Sequence, residues 1–171
     1  MTMNQGRAWI GLGGNLGDVE ATLASAREEL RKLSSIELVI SPLYRSDPWG
    51  IEDQPAFLNQ VVGIQPLLDP LQTLGKMLEI ERAHGRIRGK KWGPRTLDLD
   101  LLSWPKLTMD TNELVLPHPR LSERGFVLAP WADVAPELIP FGHEESVSEL
   151  LCKLTGSGWQ PLSASLCPVS Q

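Results

Sequence analysis

Apolar residues recur along the chain with two periods, and the switches between those periods outline a fold. Residues 8–12 form a short apolar run that breaks into Gly13-Gly14-Asn15-Leu16-Gly17-Asp18. Asp18 can cap a following helix, where Leu23, Ala26, Leu30 and Leu33 recur at three- and four-residue spacing. Residues 37–44 read as a strand, with Pro42 marking an edge or a bulge. The turn-forming stretch 46–55 is too long for a tight hairpin, and such loops are often binding elements. Strand character resumes over residues 57–64. Asp69-Pro70-Leu71-Gln72 predicts a helix start, with an acceptor at the cap, proline in the first turn and glutamine three residues on. Leu71, Leu74 and Leu78 form its expected apolar stripe, and Glu81 falls next on that stripe. A second loop, 86–94, precedes the alternating strand Thr96-Leu97-Asp98-Leu99-Asp100-Leu101.

The order strand–helix–strand–strand–helix–strand predicts an α+β fold. The expected form is a ferredoxin-like α/β sandwich, a mainly antiparallel sheet with a helix layer packed on one face. Residues 114–119 lead into Arg124-Gly125-Phe126 and an apolar segment reaching Leu138, which reads as a C-terminal extension. From 157 to 171 the pattern fades and a flexible tail is expected.

Length and composition narrow the class. The 171 residues, 42% of them hydrophobic, suit one domain spanning 1–171 with a real core. Two late cysteines, Cys152 and Cys167, cannot staple a fold of this size, and no thiol or histidine gives zinc-ligand spacing. The N-terminus has no signal-peptide pattern, and no apolar stretch reaches membrane-spanning length. A cytoplasmic monomer is the expectation. The net charge of −5 argues against a nucleic-acid coat protein. That figure is an average, however. Residues 82–95 hold six basic side chains and no acidic one, against ten basic and 21 acidic elsewhere.

Asp98 and Asp100 carry the sharpest chemical signal. Residues two apart on a strand point the same way, so both carboxylates share a face while Leu97, Leu99 and Leu101 take the other. Like charges side by side repel unless something positive sits between them, as Mg²⁺ does when it also binds phosphate oxygens. A solvated strand face is the plain alternative. The loop that leads into this strand brings Arg86, Arg88, Lys90, Lys91 and Arg95, and arginine's planar fork suits phosphate. Cations and carboxylates together are what a Mg–nucleoside triphosphate site requires. Trp92 could cover a flat ring. His118, held between Pro117 and Pro119, could donate to a phosphate oxygen, with Arg124 beside it. Asn59 shares a strand face with Phe57 and Val61, which suits a pocket for a hydrogen-bonding heterocycle or, equally, a satisfied core amide. Glu81 is expected to pair with an arginine of the basic loop. Neither a P-loop nor a dinucleotide fingerprint is present.

Four blocks together are familiar: Gly13-Gly14-Asn15-Leu16-Gly17; Asp53-Gln54-Pro55-Ala56-Phe57-Leu58-Asn59; Arg86-x-Arg88 with Trp92-Gly93-Pro94-Arg95-Thr96-Leu97-Asp98-Leu99-Asp100; and Pro117-His118-Pro119-Arg120-Leu121 with Arg124-Gly125-Phe126. Over residues 8–140 the chain resembles the 6-hydroxymethyl-7,8-dihydropterin pyrophosphokinase family. The resemblance implies a ferredoxin-like fold and transfer of pyrophosphate from ATP to a pterin hydroxymethyl group, with release of AMP, in folate biosynthesis. It implies two Mg²⁺ ions on Asp98 and Asp100, and catalytic roles for Arg86 and Arg95 as well. Arg88, Trp92, Arg95, His118 and Arg124 would contact ATP. Ser46, Asp47, Trp49, Phe57, Asn59 and Phe126 would form the pterin pocket. Three features depart from the family pattern: Phe57 where tyrosine is usual, Asp47 where proline is usual, and a second loop shorter by about one residue at Gly89-Lys90-Lys91. An RNA-binding ferredoxin-like domain and a non-catalytic nucleotide sensor are the rival readings, though no RNP-type run occurs.

Overall fold

Strand β1 (Ala8–Gly14) is buried along its whole length because it pairs on both sides, antiparallel to β4 (Phe57–Ile64) and to β5 (Asp98–Ser103). The computed structural model describes residues 4–48, 52–86, 93–156 and 158–162. Outward from β4 come β2 (Val39–Ile40) and β3 (Tyr44–Ser46), both antiparallel to it, and β8 (Trp159–Pro161) pairs with β3 at the edge. The main sheet order is β5-β1-β4-β3-β8. With helices α1 (Val19–Arg31) and α2 (Pro70–Ala83) crossing between strands, this is the ferredoxin-like arrangement expected from the element order. A separate two-stranded ribbon joins β6 (Met109–Asp110) to β7 (Val115–Leu116).

The strand expected over 37–44 is split. Pro42 has no N–H to donate, and the chain bulges there. Ser41 holds the bulge in place: its N–H donates to the Val61 carbonyl, and its hydroxyl accepts from the Val61 N–H, both at 2.9 Å.

The period of two sorts the sheet's side chains into two cores. Ile10, Leu12, Val62, Ile64, Leu99 and Leu101 meet the buried stripe of α1, which is Val19, Leu23, Ala26 and Leu30. On the other face Trp9, Val61 and Leu102 meet α3 (Gly125–Val134) and α4 (Val147–Cys152). The expectation of helices on one face needs correcting here. The C-terminal extension builds a second core, and both sheet faces are covered. RNA recognition through an open aromatic sheet face, one of the rival readings, therefore has no surface to use.

Two further expectations change. Helix α2 does start at the Asp69–Gln72 capping box, where Asp69 accepts from the Gln72 N–H at 2.8 Å. Its buried face, however, is Thr73, Met77, Ile80 and Glu81, while Leu71 is 41% exposed. The leucine stripe lies roughly a third of a turn away from the true face. Glu81 decides the rotation, since its carboxylate must reach strand β5. Within the stretch 157–171 expected as a flexible tail, Trp159–Pro161 is an edge strand, while 157 and 163–171 lie outside the described residues. Of the described helices, none is long and apolar enough to cross a membrane.

The two faces of α2 should separate in a urea titration. Met77→Ala should cost about 2–5 kcal/mol, the usual range for truncating a buried side chain, and Leu71→Ala under about 1 kcal/mol. A larger loss at Leu71 would contradict the observed rotation.

Candidate active site

On the face toward α3, β1 presents Trp9 and then two residues without side chains, Gly11 and Gly13. Trp9 packs on Trp131 of α3, ring centroids 5.7 Å apart. Beyond that contact the glycines leave the sheet bare, and a cavity of about 430 Å³ opens between it and the start of α3. Gly13 stands between Asn59 of β4 and Asp98 of β5, and Gly11 between Val61 and Asp100. A Cβ on Gly13 would come within 3.2 Å of the Asn59 Oδ1. The amide and the carboxylates therefore face one space across a strand, about 10 Å apart by strand spacing.

One wall is polar and apolar by turns. Asn59 donates from Nδ2 to the Ser46 Oγ at 2.7 Å, and both residues are buried. Phe57, Asp47 and Phe126 also line the cavity. The Arg124 guanidinium lies 6.0 Å from the centre of the Phe126 ring.

The opposite wall is ionic. Asp98 accepts from Arg86 Nη1 at 2.7 Å and from Arg95 Nη1 at 2.8 Å. Arg86 also donates to Glu81 at 2.5 Å, and the second Glu81 oxygen accepts from the Leu99 N–H at 2.9 Å. Asp100 accepts from Arg124 Nη1 at 3.0 Å. Three carboxylates thus face three guanidiniums, in a setting where charge-assisted bonds are strong. Burial pushes the Asp100 carboxyl up to about 6, aided by Asp98 and opposed by Arg124. Burial likewise raises Glu81, against the pull of Leu99 and Arg86.

Comparison with known proteins shows which family the chain belongs to. Residues 9–136 match the family model described as 7,8-dihydro-6-hydroxymethylpterin-pyrophosphokinase. A 2-amino-4-hydroxy-6-hydroxymethyldihydropteridine pyrophosphokinase of Methylorubrum extorquens is 46% identical over 153 residues, covering 89% of this chain and 96% of its own. The enzyme of that name from Pseudomonas aeruginosa is 40% identical, covering 91% of this chain and 96% of its own. The chain belongs to the 7,8-dihydro-6-hydroxymethylpterin-pyrophosphokinase family. It is therefore an enzyme of the pyrophosphokinase class. Among solved structures, wild-type Plasmodium falciparum HPPK-DHPS with pteroate superposes with a TM-score of 0.66 at 15% identity, over 86% of this chain and 42% of that one. The likeness at that identity is one of fold, and the chain spans less than half the length of the solved one.

Around this cavity the residues expected from the sequence divide. Ser46, Asp47, Phe57, Asn59, Arg95, Asp98, Asp100, Arg124 and Phe126 line one cavity. Arg86 reaches it through Asp98. Trp49, Arg88, Trp92 and the shortened Gly89–Lys91 loop lie outside the described residues. His118 does not line the cavity. Its Nδ1 accepts from the Arg120 N–H at 3.1 Å, which leaves the ring proton on Nε2. Burial, then Arg124 and Arg120, lowers its pKa to about 4. Arg120 itself lines the cavity and was not singled out, although it stands inside the Pro117–Arg124 block.

Asn15 is the residue that sequence reasoning undervalued. Its Nδ2 donates to Gln54 Oε1 at 3.0 Å and to the Pro55 carbonyl at 2.9 Å. Its Oδ1 accepts from the Arg95 N–H at 2.8 Å. One buried amide thus joins the end of the first loop to the segment that carries Arg95. The only sequence signal was an asparagine directly after a Gly-Gly step, which read as a turn.

Asn15→Ala leaves the Arg95 N–H and the Pro55 carbonyl without partners, so it should lower stability by about 1–3 kcal/mol in denaturant unfolding. An unchanged midpoint would show that the amide is dispensable. For His118, ¹⁵N-detected titration should find the neutral Nε2–H tautomer at every pH above about 5, since the folded-state pKa is about 4. Protonation near pH 6.5 would overturn that assignment.

Proposed function

We propose that the chain moves the pyrophosphoryl group of ATP onto the hydroxymethyl oxygen of 6-hydroxymethyl-7,8-dihydropterin and releases AMP. The observation that carries this reading is the register at Gly13. The Asn59–Ser46 pair stands on one side of a bare strand, and the Asp98–Asp100 pair with its arginines on the other, with Phe57 and Phe126 lining the same cavity. A flat, hydrogen-bonding heterocycle suits the first half, and a metal-bound polyphosphate suits the second. The names of the curated relatives agree with such a substrate.

Asp98 and Asp100 fit Mg²⁺ by donor chemistry. They supply hard oxygens from one strand face, and no described group of three His, Cys, Asp or Glu side chains could hold a metal unaided. Phosphate oxygens and water would complete the coordination. When bound, the metal supplies charge neutralisation and a lower pKa for the attacking hydroxyl. Two Mg²⁺ ions and ATP⁴⁻ sum to zero charge, so this load preserves the balance of three carboxylates against three guanidiniums.

The residues then have distinct tasks. Phe57 and Phe126 stack the pterin, and Asn59 reads its edge. Arg86 and Arg95, freed from Asp98, turn to phosphate oxygens. Arg124 exchanges Asp100 for the nucleotide. The hydroxyl oxygen bonds to the β-phosphorus and gives up its proton to water, while the bond from that phosphorus to the α–β bridging oxygen breaks. AMP carries the electron pair away. Positioning and charge neutralisation supply most of the catalysis in such a transfer.

With ATP, the pterin alcohol and Mg²⁺, the nucleotide product should be AMP. ADP would make this a kinase of the ordinary sort, and ATP bound without turnover would favour a sensor. Asp98→Ala should lower kcat by about a hundredfold or more while pterin affinity changes less than about threefold. Near-normal turnover at saturating Mg²⁺ would remove the aspartate from its assigned role.

A further inference from the structure

The two walls of the cavity belong to different elements, and one side chain from the C-terminal edge lies between them. Strand β8 pairs with β3 in the register Ser46↔Trp159. The Asp47 N–H donates to the Gly158 carbonyl at 2.9 Å. The chain segment that carries Ser46 and Asp47 is thus bonded along its outer side to residues 158–161. The Trp159 indole reaches the first residue of α3. A Cβ built on Gly125 would fall under 3.0 Å from three atoms of its six-membered ring, and one on Gly156 would touch the same ring edge at 3.5 Å. The same edge of the ring abuts two glycine backbones, and no larger residue at 125 would leave it room. Gly125 separates Arg124, which holds Asp100, from Phe126, which lines the same cavity as Phe57.

We propose that Trp159 is a positioning residue for the transfer reaction. Its indole fixes the gap between β3 and the N-terminal turn of α3, and thereby the relative placement of Ser46, Arg124 and Phe126. This rests on the pyrophosphokinase reading above. Trp159 touches neither substrate in that scheme. Its removal lets the α3 turn relax toward β3, so that bound substrates must restore the gap on binding. The cost then falls on KM, because saturating substrate re-seats both walls before the chemical step.

The test compares AMP formation by wild type, Trp159→Ala, Trp159→Phe and Gly125→Ala, with folding checked by circular dichroism. Trp159→Ala should raise KM for the pterin about tenfold and for ATP by several-fold, with kcat within about threefold of wild type. Trp159→Phe keeps a ring at this position and should bring both KM values back to within about threefold. Gly125→Ala displaces the ring and should reproduce the KM rise, which keeps the test decisive if Trp159→Ala fails to fold. A folded Trp159→Ala protein with wild-type KM values overturns the proposal, as does a Trp159→Phe protein no better than alanine. A wild type that forms no AMP overturns the functional reading and this proposal with it.

Discussion

The site depends on holding two carboxylates side by side on one strand. Asp98 and Asp100 project from β5 on one face, where burial and the neighbouring charge of Asp98 push the Asp100 carboxyl up to about 6. Three arginines face the pair, two on Asp98 and one on Asp100. The arginines are themselves anchored elsewhere. Arg86 is tied to Glu81, whose other oxygen takes a backbone N–H of the same strand. Arg124 sits where the chain enters α3. In the proposed function a highly charged ligand enters by exchange of partners, since the cations paired with the carboxylates are the ones that would turn to phosphate.

Geometry makes that exchange possible. Gly11 and Gly13 leave the floor of the cavity without side chains, while Trp9, one step earlier on the same face, is locked against Trp131. The same face of the same strand is therefore core at one end and binding site at the other. The helix that closes the core, α3, also carries Arg124 and Phe126 at its open end. Packing of Trp9, Val61 and Leu102 against α3 places the roof of the site. The C-terminal extension therefore helps to build the cavity.

Local chemistry was well read from the sequence, and long-range geometry was not. The Asp69–Gln72 capping box and the face shared by Asp98 and Asp100 follow from spacing alone, and both are present. Glu81 was expected to pair with an arginine, and it pairs with Arg86. The buried face of α2 was misjudged because three leucines outweighed one glutamate in a count of apolar positions. In the folded chain, the Leu99 N–H and Arg86 determine which way the helix turns. The split of the 37–44 strand depends on a Ser41 hydroxyl bonding across to β4. The bridge made by Asn15 joins residues 39 to 80 positions apart, and edge strand β8 depends on pairing across most of the chain. No periodicity carries information of that kind.

The central claim is that aspartates and arginines neutralise each other until metal and nucleotide take their places. Calorimetric titration of ATP with and without Mg²⁺, in wild type and in the Asp98→Ala/Asp100→Ala protein, tests it directly. The wild type should bind ATP more tightly with Mg²⁺ than without. In the double variant the arginines have no carboxylates to leave, so metal-free ATP should bind at least as tightly as to wild type, and Mg²⁺ should add little. If metal-free ATP binds more weakly once the aspartates are gone, or if Mg²⁺ still strengthens binding as it does in wild type, the exchange of partners is not how this site works.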